Sequence, residues 1–332
     1  MSMLTGSGSL IGYFGKLPAF PDFVRQNAGG PLARALDTWI HEGVAHMNVQ
    51  GGETWKSRFD AAAPKNFLFH VDDPSKFLVG ILVPSRDKSG RRYPFSVFAN
   101  VTPGKNGQQV HLMAEAHAVF LKAARRVFGD VNSAAEELRS GKVSALATAL
   151  PQNLFECDRQ YARFLELKKM SEFWAETLGD HAGQTRYLVM RNLLSALVPL
   201  RDKDLRKFEL CLTVPIAPHA STQGFHIAVW LVLVRQFLQH PPGSIVAFWD
   251  AERSGLQARL YLFFRPPGPR YLACLLDHDA AGSQIWDMAT LKADQLDQAK
   301  GQLPSGLATL LDDPALSVGA FINALGREEK LR

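Results

Sequence analysis

Two apolar runs decide the fold: Asn66-Phe67-Leu68-Phe69-His70-Val71 and Phe77-Leu78-Val79-Gly80-Ile81-Leu82-Val83. Each is strand-length and rich in aromatic or β-branched residues. Between them stands Asp72-Asp73-Pro74-Ser75, which is strong turn chemistry. The pattern predicts a β-hairpin. A polar loop, Pro84 to Arg92, follows, and Tyr93 to Val101 (YPFSVFANV) reads as a third strand.

Upstream, residues 10–14 (LIGYF) read as a first strand that stops at Gly15. Lys16 to Phe23 (KLPAFPDF) holds two prolines, so it is an ordered loop and not regular structure. Pro31 then opens a helix, with Leu32, Leu36, Trp39, Ile40 and Val44 at helical spacing. Downstream, helices are expected at Val110 to Phe128, with Leu112, Ala116, Val119, Phe120 and Val127 on the apolar face. Others are expected at Ser133 to Arg139, Ser144 to Leu150, Phe155 to Leu178, Thr185 to Val198 and Gly224 to His240. Further strands are expected at Phe208 to Val214, Ser244 to Trp249, Gln257 to Phe264 and Tyr271 to Leu276. Interspersed helices and hairpin-type strand pairs give an α/β or α+β sandwich with a mixed sheet. With no repeat and no low-complexity linker, the expected division is a flexible tail over 1–9, one domain over 10–288, and a helical C-terminal extension over 289–332.

Bulk properties narrow the class. The chain has 332 residues, 46% hydrophobic and 21% charged, enough to bury a core without staples. Cys157, Cys211 and Cys274 are far apart and form no CxxC pair, which argues against a disulfide framework or zinc ribbon. The beginning of the sequence shows no secretion signal, and the most apolar stretch, Phe225 to Leu238, is too short to span a bilayer. It reads as a buried helix, or a helix plus a strand. A cytoplasmic protein without membrane insertion is expected. Net charge is +5, with basic clusters at Arg86, Lys88, Arg91 and Arg92 and at Lys122, Arg125 and Arg126. Nucleic-acid binding calls for a denser stripe with stacking aromatics, so the expectation is a solvated surface or an acidic protein partner.

Chemistry-bearing motifs are few. There is no GxSxG elbow, HExxH, Walker A loop or EF-hand loop, and Gly6-Ser7-Gly8 with Gly12 lacks dinucleotide spacing. His41 and His46 are five apart and do not share a helix face as metal ligands would. His278 beside Asp277 and Asp279 could be acid/base or metal chemistry, and lacks a third partner in the sequence. No catalytic residue, metal or cofactor is assigned. Phe20, in the Pro-flanked loop, is either a core residue or a rigid protein contact.

Two segments carry a resemblance. The first is Gly12-Tyr13-Phe14-Gly15-Lys16-Leu17-Pro18 followed by Asp22-Phe23-Val24-Arg25, then Asp37-Thr38-Trp39, Trp55 and the Asn66 strand. The second is Pro84-Ser85-Arg86-Asp87-Lys88-Ser89-Gly90-Arg91-Arg92-Tyr93-Pro94-Phe95. Together they resemble the signatures of the TagF/ImpM family of type VI secretion accessory proteins, over about the first hundred residues. Pro21 departs from the family, which has glycine there. The resemblance implies a three-layer α/β/α sandwich with additional helices in the C-terminal half. It also implies a non-catalytic cytoplasmic regulator, a post-translational repressor of assembly that contacts a forkhead-associated scaffold protein. The candidate partner-binding or signature-loop residues are Lys16, Pro18, Phe20, Asp22, Phe23, Ser85, Asp87, Gly90, Arg91 and Pro94. From the residues alone, Asp87 with Ser85 can close an Asx or ST turn, Gly90 can supply a left-handed residue, and Arg91 can pair with Asp22 or Asp87. The two loops would then brace each other. The competing expectations are a hydrolase with a cleft near Ser85, Asp87 and Arg91 or near His278, and a structural subunit of the apparatus.

Overall fold

The computed structural model describes residues 11–327 apart from 53, 72, 74, 104–108, 180–181, 219, 240–244, 251–257, 279–284, 291–295 and 297. In chain order the elements begin β1 (Ile11–Gly15), β2 (Val24–Gln26), α1 (Pro31–Gln50), α2 (Trp55–Ala61), β3 (Lys65–Phe69), β4 (Phe77–Val83) and β5 (Phe95–Val101). A helical block follows: α3 (Met113–Ala116), α4 (Ala118–Phe128), α5 (Ala134–Arg139), α6 (Lys142–Ala145), α7 (Phe155–Leu167), α8 (Met170–Leu178) and α9 (Ala182–Leu197). Then come β6 (Cys211–Ile216), α10 (Ala220–Leu238), β7 (Val246–Asp250), β8 (Ala258–Phe263), α11 (Tyr271–Leu276), β9 (Trp286–Asp287), α12 (Ser305–Asp312) and α13 (Val318–Leu325).

The strands form one sheet in the order β2-β1-β5-β4-β3-β7-β8-β6-β9. The expected hairpin is its centre: β3 and β4 pair antiparallel with Phe67 opposite Gly80. Among the described residues only β6 and β9 pair parallel, so the sheet is mixed. Side chains alternate across it, as the period of two demands. From β4, Phe77, Val79, Ile81 and Val83 enter one core, while Leu78 and Leu82 enter the other. The same split separates Leu260 and Leu262 of β8 from Tyr261 and Phe263. The core that receives Leu78 and Leu82 is closed by α1, α2 and α11; the other by the remaining helices. That is the three-layer α/β/α arrangement.

Helix α1 turns Leu36, Trp39, Ile40, Val44 and Met47 inward at helical spacing. Each such side chain contributes about 1.5–3 kcal/mol through burial. Trp39 also donates from Nε1 to the Gly268 carbonyl at 3.2 Å. In contrast, α10 is apolar all round, and Trp230, Leu233, Val234 and Phe237 are buried between sheet and outer helices. The apolar stretch is thus all helix over its described length.

Several expected elements take another form. Tyr271–Leu276 is helix α11, not a strand. Its composition, YLACLL, has no β-branched residue, and a short apolar run has no period of its own. The segment 110–128 is broken into a 3-10 turn, α3 and α4, and Val119 is 67% exposed instead of lying on the apolar face. Phe155–Leu178 is two helices, separated at extended Lys168 and Lys169. Phe208–Leu210 precedes the strand, which starts at Cys211. Leu10, Asp72, Pro74, His240, Ser244, Gln257 and Asp279 lie outside the described residues. The C-terminal α13 packs on α7, and two backbone bonds fasten it: Met170 N–H to Leu316 O at 2.9 Å and Val318 N–H to Lys168 O at 2.8 Å.

Candidate signature-loop site

The loop 84–94 folds on itself by backbone bonds. Asp87 N–H donates to Arg91 O at 3.1 Å, Gly90 N–H to Asp87 O at 2.9 Å, and Tyr93 N–H to Ser85 O at 2.9 Å. Gly90 has φ of +84°, the left-handed residue the turn requires. The Asp87 side chain fills the inside of the loop. Its Oδ1 accepts from Ser89 N–H at 3.0 Å, Ser89 Oγ at 2.9 Å and Arg91 N–H at 2.9 Å. Its Oδ2 accepts from Lys16 Nζ at 2.9 Å and Arg91 Nε at 2.7 Å. The Asx turn thus closes on Ser89, not on Ser85. The Ser85 hydroxyl is buried with no hydrogen-bond partner among the described residues.

This carboxylate is fully buried, with 0% of its side chain exposed. Burial alone would push its pKa up. The Lys16 ammonium, the Arg91 and Ser89 N–H groups and hydroxyl, and the Arg91 guanidinium outweigh that and hold the carboxyl well below its ordinary range. Lys16 is itself buried, as lysine is only when paired. It leaves β1 directly after Gly15, where φ is +134° and a Cβ would sit 2.3 Å from the Pro94 carbonyl oxygen. Only glycine brings β1 this close to buried Pro94, and that closeness delivers Lys16 to Asp87.

The first signature wraps the outside of the second. Lys88 N–H donates to Phe20 O at 2.9 Å, and Arg91 Nη2 to Pro21 O at 2.8 Å. Pro18 is half-buried in the turn closed by Phe20 N–H to Leu17 O at 3.0 Å. Pro21 is not among the residues with positive φ, so proline fits where the family has glycine. Asp22 is exposed and caps the next peptide, Phe23 N–H, at 2.8 Å, leaving Arg91 to Asp87. Phe20 is half-buried against the helical core, with the Arg139 guanidinium 5.3 Å from its ring. Phe23 is 43% exposed; it stands edge-on to Tyr93 at 4.8 Å, with Lys16 Nζ 5.0 Å from its ring. The candidate residues therefore belong to one braced assembly, Ser85 through its backbone carbonyl alone.

Sequence reasoning missed the outer supports. Tyr93 donates its hydroxyl to Asp37, which also pairs with Arg25. Arg92 grips Asp60 of α2 in a bidentate pair, with Nε to Oδ1 at 2.9 Å. The D-x-W pattern carried a signal for Asp37, which stands two residues before buried Trp39 on the same helix. These supports tie the two loops to α1 and α2. Residues 12–144 match the model of the TagF N-terminal domain, type VI secretion system-associated. They are a TagF N-terminal domain. The TagF domain thus includes β1 through α6 and both signature loops. Among proteins of curated function, none matches the chain. Among solved structures, it is similar to PA0076 from Pseudomonas aeruginosa PAO1 at 18% identity and a TM-score of 0.36, over 41% of this chain and 62% of that one. The chain thus spans less than two thirds of that protein's length.

Away from the loops, His278 has partners the sequence did not offer. Its Nε2 lies 3.1 Å from Asp287 Oδ2, and Nδ1 3.4 Å from the Tyr261 hydroxyl. Tyr261 is buried at 1% exposure, so the three form an internal network. Among the described residues no group of three or more His, Cys, Asp or Glu is placed to hold a metal ion. No described helix is long and apolar enough to cross a membrane. The three cysteines are buried and none is in a disulfide.

Proposed function

We propose that this chain is a non-catalytic cytoplasmic regulator of a type VI secretion system, a post-translational repressor of assembly that binds a forkhead-associated scaffold protein. The TagF N-terminal domain supports the system. The observation that carries the binding reading is Phe23. It is a large aromatic, 43% exposed, on a loop fixed from beneath by Lys16–Asp87 and from the side by Tyr93. A rigid, half-exposed aromatic loses little freedom on association and makes a good anchor. A competing hydrolase reading that uses Asp87 would need its carboxylate available to a substrate; both Asp87 oxygens are engaged by the chain's own donors and the carboxylate is buried, which favours the binding reading.

The test is direct binding of the purified chain to the purified forkhead-associated scaffold of the same secretion cluster. Wild type is expected to bind. Phe23→Ala is expected to weaken binding at least about tenfold, a loss of about 1.4 kcal/mol, with an unchanged thermal melt. No binding by wild type overturns the reading.

A further inference from the structure

The signature loop has an inner and an outer row. Ser85 and Asp87 are buried, whereas Arg86 and Lys88 are exposed. That alternation is the period of two of extended backbone. The outer row is held in place because the backbone beneath it is tied on both sides. Arg86 forms a β-bridge with Arg92, whose guanidinium grips Asp60, and Lys88 N–H donates to Phe20 O at 2.9 Å. A third exposed cation, Arg34, stands on the first turn of α1. Three residues further along the same helix face, Asp37 accepts from Tyr93, whose ring lies 4.8 Å from that of Phe23.

Most carboxylates of this face are already taken. Asp87 is enclosed by Lys16, Ser89 and Arg91; Asp37 holds Arg25 and Tyr93; Asp60 holds Arg92. Asp22, the remaining acid of residues 16–37 and 84–94, is turned onto the Phe23 N–H at 2.8 Å. Residues 1–10 contain no acidic side chain. Among the described residues, Arg34, Arg86 and Lys88 take part in no ion pair. Around the exposed Phe23 ring, three unpaired cations thus stand against one exposed carboxylate.

Cations left unmatched on a surface that pairs its other ions attract an anionic partner and speed its encounter. Their arrangement selects among such partners. Arg86 and Lys88 are ~7 Å apart along the backbone, the interval of alternate side chains in another extended chain. Three single charges on separate supports suit several separate carboxylates, whereas one phosphate group is gripped by a convergent fork. A single exposed aromatic stands among them, not the run of stacking rings that a nucleic-acid strand uses.

We infer, resting on the reading that this face binds a protein, that it takes an extended acidic segment of that partner, with aspartate and glutamate side chains facing Arg34, Arg86 and Lys88 and an apolar side chain lying on Phe23. Arg86 and Lys88 contribute only backbone to the bracing, so their side chains can be changed without loosening the loops.

Two probes test this with the intact chain. One is the purified forkhead-associated scaffold of the same secretion cluster. The other is a fluorescein-labelled peptide of alternating Glu and Ser around a central Leu, compared with its Gln counterpart. The acidic peptide is expected to bind saturably, and the Gln peptide at least about tenfold more weakly. Arg86→Glu with Lys88→Glu should weaken the acidic peptide at least about tenfold and slow scaffold association at least about fivefold, with dissociation changed less. Raising salt from ~0.05 M to ~0.5 M should slow association of the wild type and leave the double variant nearly unchanged. Lys203→Glu with Lys207→Glu makes the same change of charge just before β6, six strand intervals or about 29 Å from β1, and should have neither effect. Thermal melts of both double variants should match the wild type, since all four side chains are exposed. A scaffold that does not bind the wild type overturns the function proposed above, and the peptide then decides this inference alone. A scaffold that binds but is indifferent to salt and to the charge reversal overturns the inference and leaves that function standing. So does a peptide that binds wild type and reversed variant alike, an equal loss in the control pair, or tighter binding of a single-stranded oligonucleotide than of the acidic peptide.

Discussion

Lys16 Nζ lies 2.9 Å from Asp87 Oδ2 although 71 residues separate them in the chain, and both side chains are buried. This pair joins the two signatures from inside. Breaking a buried pair costs about 3 kcal/mol when the remaining charge is left alone; here Arg91 still faces Asp87, which holds the loss to about 2 kcal/mol. Lys16→Met is therefore expected to lower the free energy of unfolding, measured by urea titration, by that amount. A double variant, Lys16→Met with Asp87→Asn, should recover part of the loss. Equal stability of wild type and Lys16→Met would show that the bracing contributes nothing.

The same pair sets a pH dependence. The Asp87 carboxyl titrates well below its unfolded value, so its stabilisation is complete above the ordinary carboxylate range near pH ~4. It is lost progressively as pH falls through that range toward the depressed folded value. Asp87→Asn should flatten the acid limb of a stability–pH profile measured by urea unfolding.

Glu115 acts in the opposite sense. Burial beneath α10 pushes its carboxyl up to about 7, and Oε2 has no hydrogen-bond partner among the described residues. A carboxyl raised in the folded state binds more protons folded than unfolded between its two values, so stability falls as pH rises from about 4.5 to about 7. Glu115→Gln should remove that fall and make the protein more stable at pH 8, by up to about 3 kcal/mol. A variant no more stable than wild type at pH 8 would contradict this placement of Glu115.

Gly15 and Gly90 both have positive φ, yet they differ in space. A Cβ at Gly15 meets Pro94 O at 2.3 Å, whereas one at Gly90 meets nothing within 4 Å. Gly90→Ala should cost only backbone strain, on the order of 1 kcal/mol. Gly15→Ala adds a backbone clash and should cost clearly more, about 3 kcal/mol. Thermal melts of the two variants order them.

The C-terminal α13 buries Val318, Phe321 and Leu325 against α7 and α8 and adds two backbone bonds at Lys168 and Met170. Phe321→Ala should destabilise by about 3–5 kcal/mol, read by urea unfolding. An unaffected midpoint would mean that this helix adds nothing to the folding unit.

Most of the sheet was legible because its strands carry their own evidence. The β3–β4 hairpin has β-rich runs and a turn of Asp, Pro and Ser, each a local signal. Tyr271–Leu276 was misread because six apolar residues buried almost all round show no period; only the absence of Val, Ile and Thr hinted at a helix. The loop residues were found through their resemblance; the partner of Arg91 stayed open between Asp22 and Asp87, since both are acids within reach of the loop and only the fold separates them. Lys16 was named but its buried partner was not, because a contact across 71 residues leaves no trace in local pattern.

The sheet ends in β2, three residues long, and in β9, two residues long. An open edge offers unpaired N–H and C=O groups to any other extended chain, and a long one invites aggregation. Here the outermost strands themselves offer only two or three residues each. Arg25 occupies the middle of one, and a charged outward residue resists stacking further. A nine-stranded sheet with stubbed borders can be made in quantity without one copy growing onto the next.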